Sequence, residues 1–156
     1  MFHLTVRVLA LLGTGLAAGA ALCILFAERS FAGGAADYVA YKQLMIRALT
    51  VPVPALAALG VVAAAIDAAL LWPRGASLPL ALTAVAVLLN VAAMVLTVRG
   101  HFPLNDAIIA WSPATVPATW GAVRARWALI HALRTATSVA SFVALVVGNV
   151  TRGVAG

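Results

Sequence analysis

The chain has 156 residues, of which 65% are hydrophobic and 9% charged. Soluble domains carry about 25% charge, so a soluble enzyme is excluded and an integral membrane protein is expected, in keeping with a mean hydropathy of +1.10. The formal net charge is +6, but the basic residues are scattered between apolar runs with no soluble basic domain, which argues against nucleic-acid binding.

Val8 to Ala27 is an uncharged run long enough for one span, bounded by Arg7 and by Glu28-Arg29. It is read as a retained helix, not a signal peptide. Gly15 and Gly19 form a small-xxx-small pair suited to close helix packing, or are glycines merely tolerated in an Ala-rich helix. Cys23, alone in the sequence, forms no internal disulfide and is given no role. Ser30 to Asp37 reads as a loop. In DYVAYKQLMIRAL, Tyr38, Tyr41, Lys42, Met45 and Leu49 recur at helical spacing, which predicts an amphipathic helix. Pro52 and Pro54 should kink or restart it. The second span runs from Val51 to Leu71 and closes at Trp72-Pro73, with Asp67 about a turn inside, where it is expected to snorkel or to pair with Arg74, a functional acid being the alternative.

Arg74 to Pro79 reads as a tight turn, and Leu80 to Val98 as the third span. Thr83, Asn90 and Thr97 are seven apart and share a face, with His101 four residues on. Asn90, near mid-membrane, is expected to make an interhelical hydrogen bond. Arg99 to Pro117 is the longest connection, aromatic and apolar enough to fold back onto the bundle. The fourth helix is predicted over Ala118 to Asn149. Along it Trp120, Arg124, Trp127, His131, Arg134, Ser138 and Ser141 recur at steps of about three and four, so all seven lie on one face. Polar groups on a membrane helix must face protein, water or a ligand.

The expected fold is therefore all-α. It is an integral membrane four-helix bundle, one four-span domain over residues 1–156, with an amphipathic helix before span two and a long structured loop before span four. Tyr38, Lys42, Arg47, His101, Asn105, Trp111, Trp120, Arg124, Trp127, His131 and Arg134 gather at one end, while the opposite end looks plain. A polar-aromatic pocket opening there is the default site. The basic residues of the two connections at that end place it in the cytoplasm and both termini outside, in a bacterial inner membrane.

The chemistry is narrowed by what is missing. There is no CxxC, HExxH or glycine-rich phosphate loop, and the four acids are too dispersed for a carboxylate-bridged di-metal centre. His101 and His131 remain as bases or, less favoured, as haem or copper ligands. Arg134 can stabilise an oxyanion or enolate, and Asn105 can hydrogen-bond a carbonyl. Trp111, Trp120 and Trp127 can wall a flat aromatic ligand, with Arg124, Tyr38 and Lys42 completing the binding surface.

YKQLM before span two, FPLND after span three, and Trp120 followed by RWALIHALRT on span four resemble the anthrone-oxygenase-like membrane family. That family usually has asparagine where His101 stands, while Pro103 and Asn105 fit its pattern. The resemblance implies oxidation of an anthrone-type polyketide to a quinone without a bound cofactor or metal. In that reading His131 or His101 is the base, and Arg134 and Asn105 are stabilisers. Two other readings stay open. One is a non-enzymatic membrane subunit or scaffold, as a homo-oligomer or with partner subunits. The other is a haem- or quinone-binding electron-transfer subunit.

Overall fold

In hydrocarbon a backbone must satisfy its own hydrogen bonds, so apolar runs rich in Ala, Leu and Val fold as helices. The computed structural model describes residues 1–75 and 77–154; Ala76, inside the expected Arg74–Pro79 turn, lies outside the described residues. The helices are α1 (Phe2–Ser30), α2 (Ala35–Leu49), α3 (Pro52–Leu71), α4 (Leu78–Leu96), α5 (Phe102–Ala110) and α6 (Trp120–Val154). A 3-10 turn, Trp72–Arg74, follows α3, and a π-helical turn, Thr97–His101, joins α4 to α5. Four helical stretches are long and apolar enough to cross a membrane: Phe2–Ser30, Pro52–Arg74, Leu78–Ala110 and Trp120–Arg152. The protein is an all-α membrane bundle.

The four long helices form a ring in chain order, α1 beside α3, α3 beside α4, α4 beside α6 and α6 beside α1. Neighbours run antiparallel, as short connections dictate. The closest crossing is α1 on α3. A Cβ added at Gly13 would lie 2.6 Å from the backbone nitrogen of Gly60, and one at Gly60 would lie 2.6 Å from that of Thr14. The expected packing pair, Gly15 and Gly19, is thus corrected. Gly15 sits under the Phe142 ring, and Gly19 faces open space. The true contact needs one glycine from each helix at the same height. Cys23 is exposed on the outer face.

Polar side chains inside the ring find partners across it. The Asn90 amide donates to Ser141 Oγ at 2.8 Å and to Thr14 Oγ1 at 3.3 Å. The end expected to be plain carries a buried ion pair. Asp67 is 2% exposed and takes a bidentate pair from Arg152, at 2.6 and 2.9 Å. Its expected partner Arg74 is exposed. Sequence proximity misled here, because the end of α6 returns beside α3. Arg7 adds a 2.6 Å bond to Asn149.

The connection before span four is also corrected. Only residues 111–119 are non-helical, since the preceding stretch continues span three as the π turn and α5. Pro103 lies in the first turn of α5, where a missing N–H costs nothing. In the same way Pro52 starts α3 instead of kinking it. Gln43 on α2 closes the far end of α5. Its amide donates to the carbonyls of Ile108 (3.0 Å), Ile109 (3.3 Å) and Trp111 (2.8 Å). A single side chain therefore ties the two short helices together beside the bundle.

Candidate functional site

Four elements carry polar groups to the inner end of the ring. The π turn carries Thr97 and His101, four residues apart and on one face, and both are buried, at 8% and 3% exposure. The stripe on α6 supplies Trp127 and His131, at 5% and 0%. Helix α2 contributes Lys42, at 1%. Asn105 arrives one turn into α5.

The three rings pack as a unit. Trp127 stacks on His131, with centroids 4.8 Å apart and an interplanar angle of 15°. His101 meets Trp127 edge-on at 4.8 Å and lies 5.6 Å from His131. The other face of Trp127 is taken by the Lys42 ammonium, 3.1 Å from the ring centroid. Both faces of this indole are covered, so it offers a ligand an edge and not a flat wall. Its N–H donates to Asn105 Oδ1 at 2.9 Å. An indole N–H only donates, which fixes the amide with its NH2 group free to donate to another partner.

The two histidines are in different states. His131 Nε2 lies 2.9 Å from the carbonyl oxygen of Ala21, and its Nδ1 lies 3.1 Å from Arg134 Nη2. A carbonyl accepts only and a guanidinium donates only, so His131 is neutral, protonated at Nε2, with its lone pair already used. His101 is equally buried, yet neither ring nitrogen has a hydrogen-bond partner among the described residues. Arg134 Nε is likewise buried and unpaired. No carboxylate within salt-bridge distance of Arg134 is found among the described residues.

A cavity of about 50 Å³ lies against these groups. Lys42, His101, Asn105, Trp127 and Arg134 contribute polar or aromatic wall, and Met45, Ile46, Leu49, Val53 and Phe102 contribute apolar wall. The candidates His101, Arg134, Asn105, Lys42 and Trp127 therefore share one cavity. His131 stands behind it and touches it through Arg134 and Trp127. Trp111, Trp120, Arg124 and Tyr38 do not line it.

Trp120, Arg124 and Tyr38 belong to a neighbouring cluster organised by an acid that marks the end of the first span in sequence. Glu28 is 3% exposed at the end of α1 and pairs with both Lys42 and Arg124, the latter at 3.1 Å. Arg124 also donates to the carbonyls of Glu28 (3.3 Å) and Phe31 (3.1 Å). Tyr38, fully buried, has the Arg124 guanidinium 5.1 Å from its ring centroid and Trp120 at 5.7 Å. Burial, with Glu28 nearby, pushes the Tyr38 and Tyr41 hydroxyls up. Burial pulls Lys42 down to about 8 against the opposing attraction of Glu28. One arm of the cluster thus enters the cavity through Lys42, while Trp111 packs outside it beside Ile108.

Comparison with known proteins adds a single finding. A family model described as anthrone oxygenase matches residues 41–144, two thirds of the chain. No curated protein and no solved structure matches.

Proposed function

The chain belongs to the anthrone oxygenase family, and from that premise we propose that it oxidises a lipophilic aromatic ketone of the anthrone type without a bound cofactor. The observation that carries this reading is His101. It is a buried imidazole with both nitrogens unpaired among the described residues, facing a cavity shared with Arg134, Lys42 and Asn105. A base needs a free lone pair within reach of the proton it takes. His101 has one, whereas that of His131 is held by Arg134.

The reaction runs in three steps. His101 removes a proton from the methylene opposite the ketone, and the electron pair moves onto the carbonyl oxygen as an enolate. Arg134 and the free Asn105 NH2 group stabilise that oxygen. The enolate adds dioxygen through a new C–O bond, and the peroxide takes a proton. Breaking of the O–O bond and the remaining C–H bond releases water and leaves a carbonyl. The sum is one anthrone and one dioxygen to one quinone and one water.

The cavity at about 50 Å³ suits a few water-sized molecules, not three fused rings. Substrate entry therefore requires α2 to move away from α3 and α5, which leaves the ring of four spans intact. Basic residues near the site end, among them Arg29, Arg47, Arg99 and Arg126, support a cytoplasmic site with both termini outside.

The test is oxygen uptake by the detergent-purified protein with anthrone, on a sample checked for metal and for a Soret band. Uptake equimolar with quinone, falling about 10²-fold or more in His101→Gln, supports the reading. Uptake at the spontaneous rate, or activity that tracks a bound metal, overturns it.

A further inference from the structure

A second cavity, also about 50 Å³, lies deeper in the ring. It shares Val53, Pro54, Thr97, Phe102 and Arg134 with the first, so the two adjoin, and Arg134 is the charged side chain in their common wall. Beyond that junction its wall is made of small side chains, Ala17, Ala21, Ala57 and Ala93, with Ser138 as a further polar group. Met94 on α4, Val98 on the π turn that follows it and Pro54 on α3 place its outer wall at the groove between α3 and α4, facing hydrocarbon.

Its polar groups, Arg134, Thr97 and Ser138, stand among a majority of apolar side chains, and a space walled mainly by apolar groups admits small apolar guests. Dioxygen is small, apolar and more soluble in hydrocarbon than in water. We propose that this second cavity is a dioxygen site fed from the bilayer between α3 and α4, and that it delivers dioxygen to Arg134 while the organic substrate occupies the first cavity. This inference rests on the oxidation proposed above and adds the route of its second substrate.

The position of Arg134 gives the route a chemical purpose. When the enolate passes one electron to dioxygen, a neutral carbon radical and a superoxide anion form. They then join through the new C–O bond as the peroxide anion, which takes up a proton. The negative charge crosses from one cavity to the other during that electron transfer. A guanidinium bordering both cavities, with no carboxylate partner among the described residues, stabilises the anion on either side. His131 holds that guanidinium through its Nδ1 and is a positioning residue in this account.

The experiment is methyl-detected NMR of alanine-labelled protein in lipid nanodiscs under dioxygen pressure, where paramagnetic dioxygen speeds relaxation of nearby methyl groups. Ala17, Ala21 and Ala93 should relax faster than Ala64 and Ala86, which are at least as buried but lie away from the cavity. The excess should vanish in Ala57→Leu, or in the milder Ala57→Val should the larger side chain prevent folding. Equal relaxation at all five methyls in the folded protein, or an excess that survives filling, overturns the inference. In turnover with anthrone, Ala57→Leu should raise the KM for dioxygen about tenfold with little change in the KM for anthrone; an unchanged KM for dioxygen also overturns it. Absence of any turnover would refute the oxidation itself, and the methyl relaxation would still decide whether dioxygen occupies the cavity.

Discussion

His101 and His131 look alike in sequence, yet their neighbours give them different chemistry. The Ala21 carbonyl and the Arg134 guanidinium fix one tautomer of His131 and use both its nitrogens. His101 has edge contacts to Trp127 and His131 but no hydrogen-bond partner among the described residues, so it keeps its lone pair. Spacing placed His131 on the α6 stripe, but no pattern announces which backbone carbonyl it will meet. Glu28 was hidden for the same reason: its partners lie 14 and 96 residues away. Lys42 gives this scale its prediction. Its folded pKa of about 8 lies below the ordinary 10.5, so above pH 8 the unfolded chain holds more protons at this site than the native one. The stability contribution of this group therefore rises with pH through that window and is at its lowest below it. From about pH 7 to about pH 9.5, the Tm of the wild type should gain on that of Lys42→Met. A constant difference between the two melting curves across this range would refute the assignment.

Helix identity was mostly legible, because length and apolar content decide which stretches span a bilayer. The second span matched almost to the residue, since Pro52 and the Trp72-Pro73 pair mark its ends chemically. The α5 segment was not legible. Arg99, Gly100 and Pro103 suggest a loop, and a helix continuing through a π turn into a proline-initiated turn has no distinct composition. The cost of that misreading is functional, since the π turn and α5 carry two of the cavity's polar side chains, His101 and Asn105. Gln43, quoted within YKQLM but given no role, holds α2 to α5 through three carbonyls. If α2 is the element that yields to substrate, Gln43→Ala should destabilise the protein by about 1–2 kcal/mol and speed amide exchange selectively in α2 and α5. Uniform exchange enhancement across all helices would show instead that α2 is not an independent unit.

At the scale of the whole molecule, the bundle has polar clusters at both ends with different logic. The Asp67–Arg152 pair has its charges matched and its geometry bidentate, with Arg152 Nε left unpaired among the described residues. The His101–Arg134 end leaves donors and lone pairs unspent against a cavity. The site end was legible as a concentration of polar and aromatic residues on one stripe; the far cluster was not, because its members are dispersed along the chain. The ring itself depends on backbone contact at Gly13 and Gly60, where the obstacle to a Cβ is main chain and cannot rotate away. Gly60→Val should therefore cost about 1–3 kcal/mol through overpacking, read as a loss of Tm, while Gly19→Val leaves Tm near the wild-type value. Equal losses in both variants would mean that α1 and α3 do not cross as described.

The central claim is that His101 takes the substrate proton, and this step can be isolated by withholding dioxygen. Anaerobic protein in deuterated buffer should accelerate exchange of the anthrone methylene hydrogens above the buffer rate. His101→Gln should remove about 10²-fold or more of that acceleration, while the fold is retained by circular dichroism. Exchange no faster than in buffer, or undiminished in His101→Gln, would contradict the account even if oxygen uptake were intact.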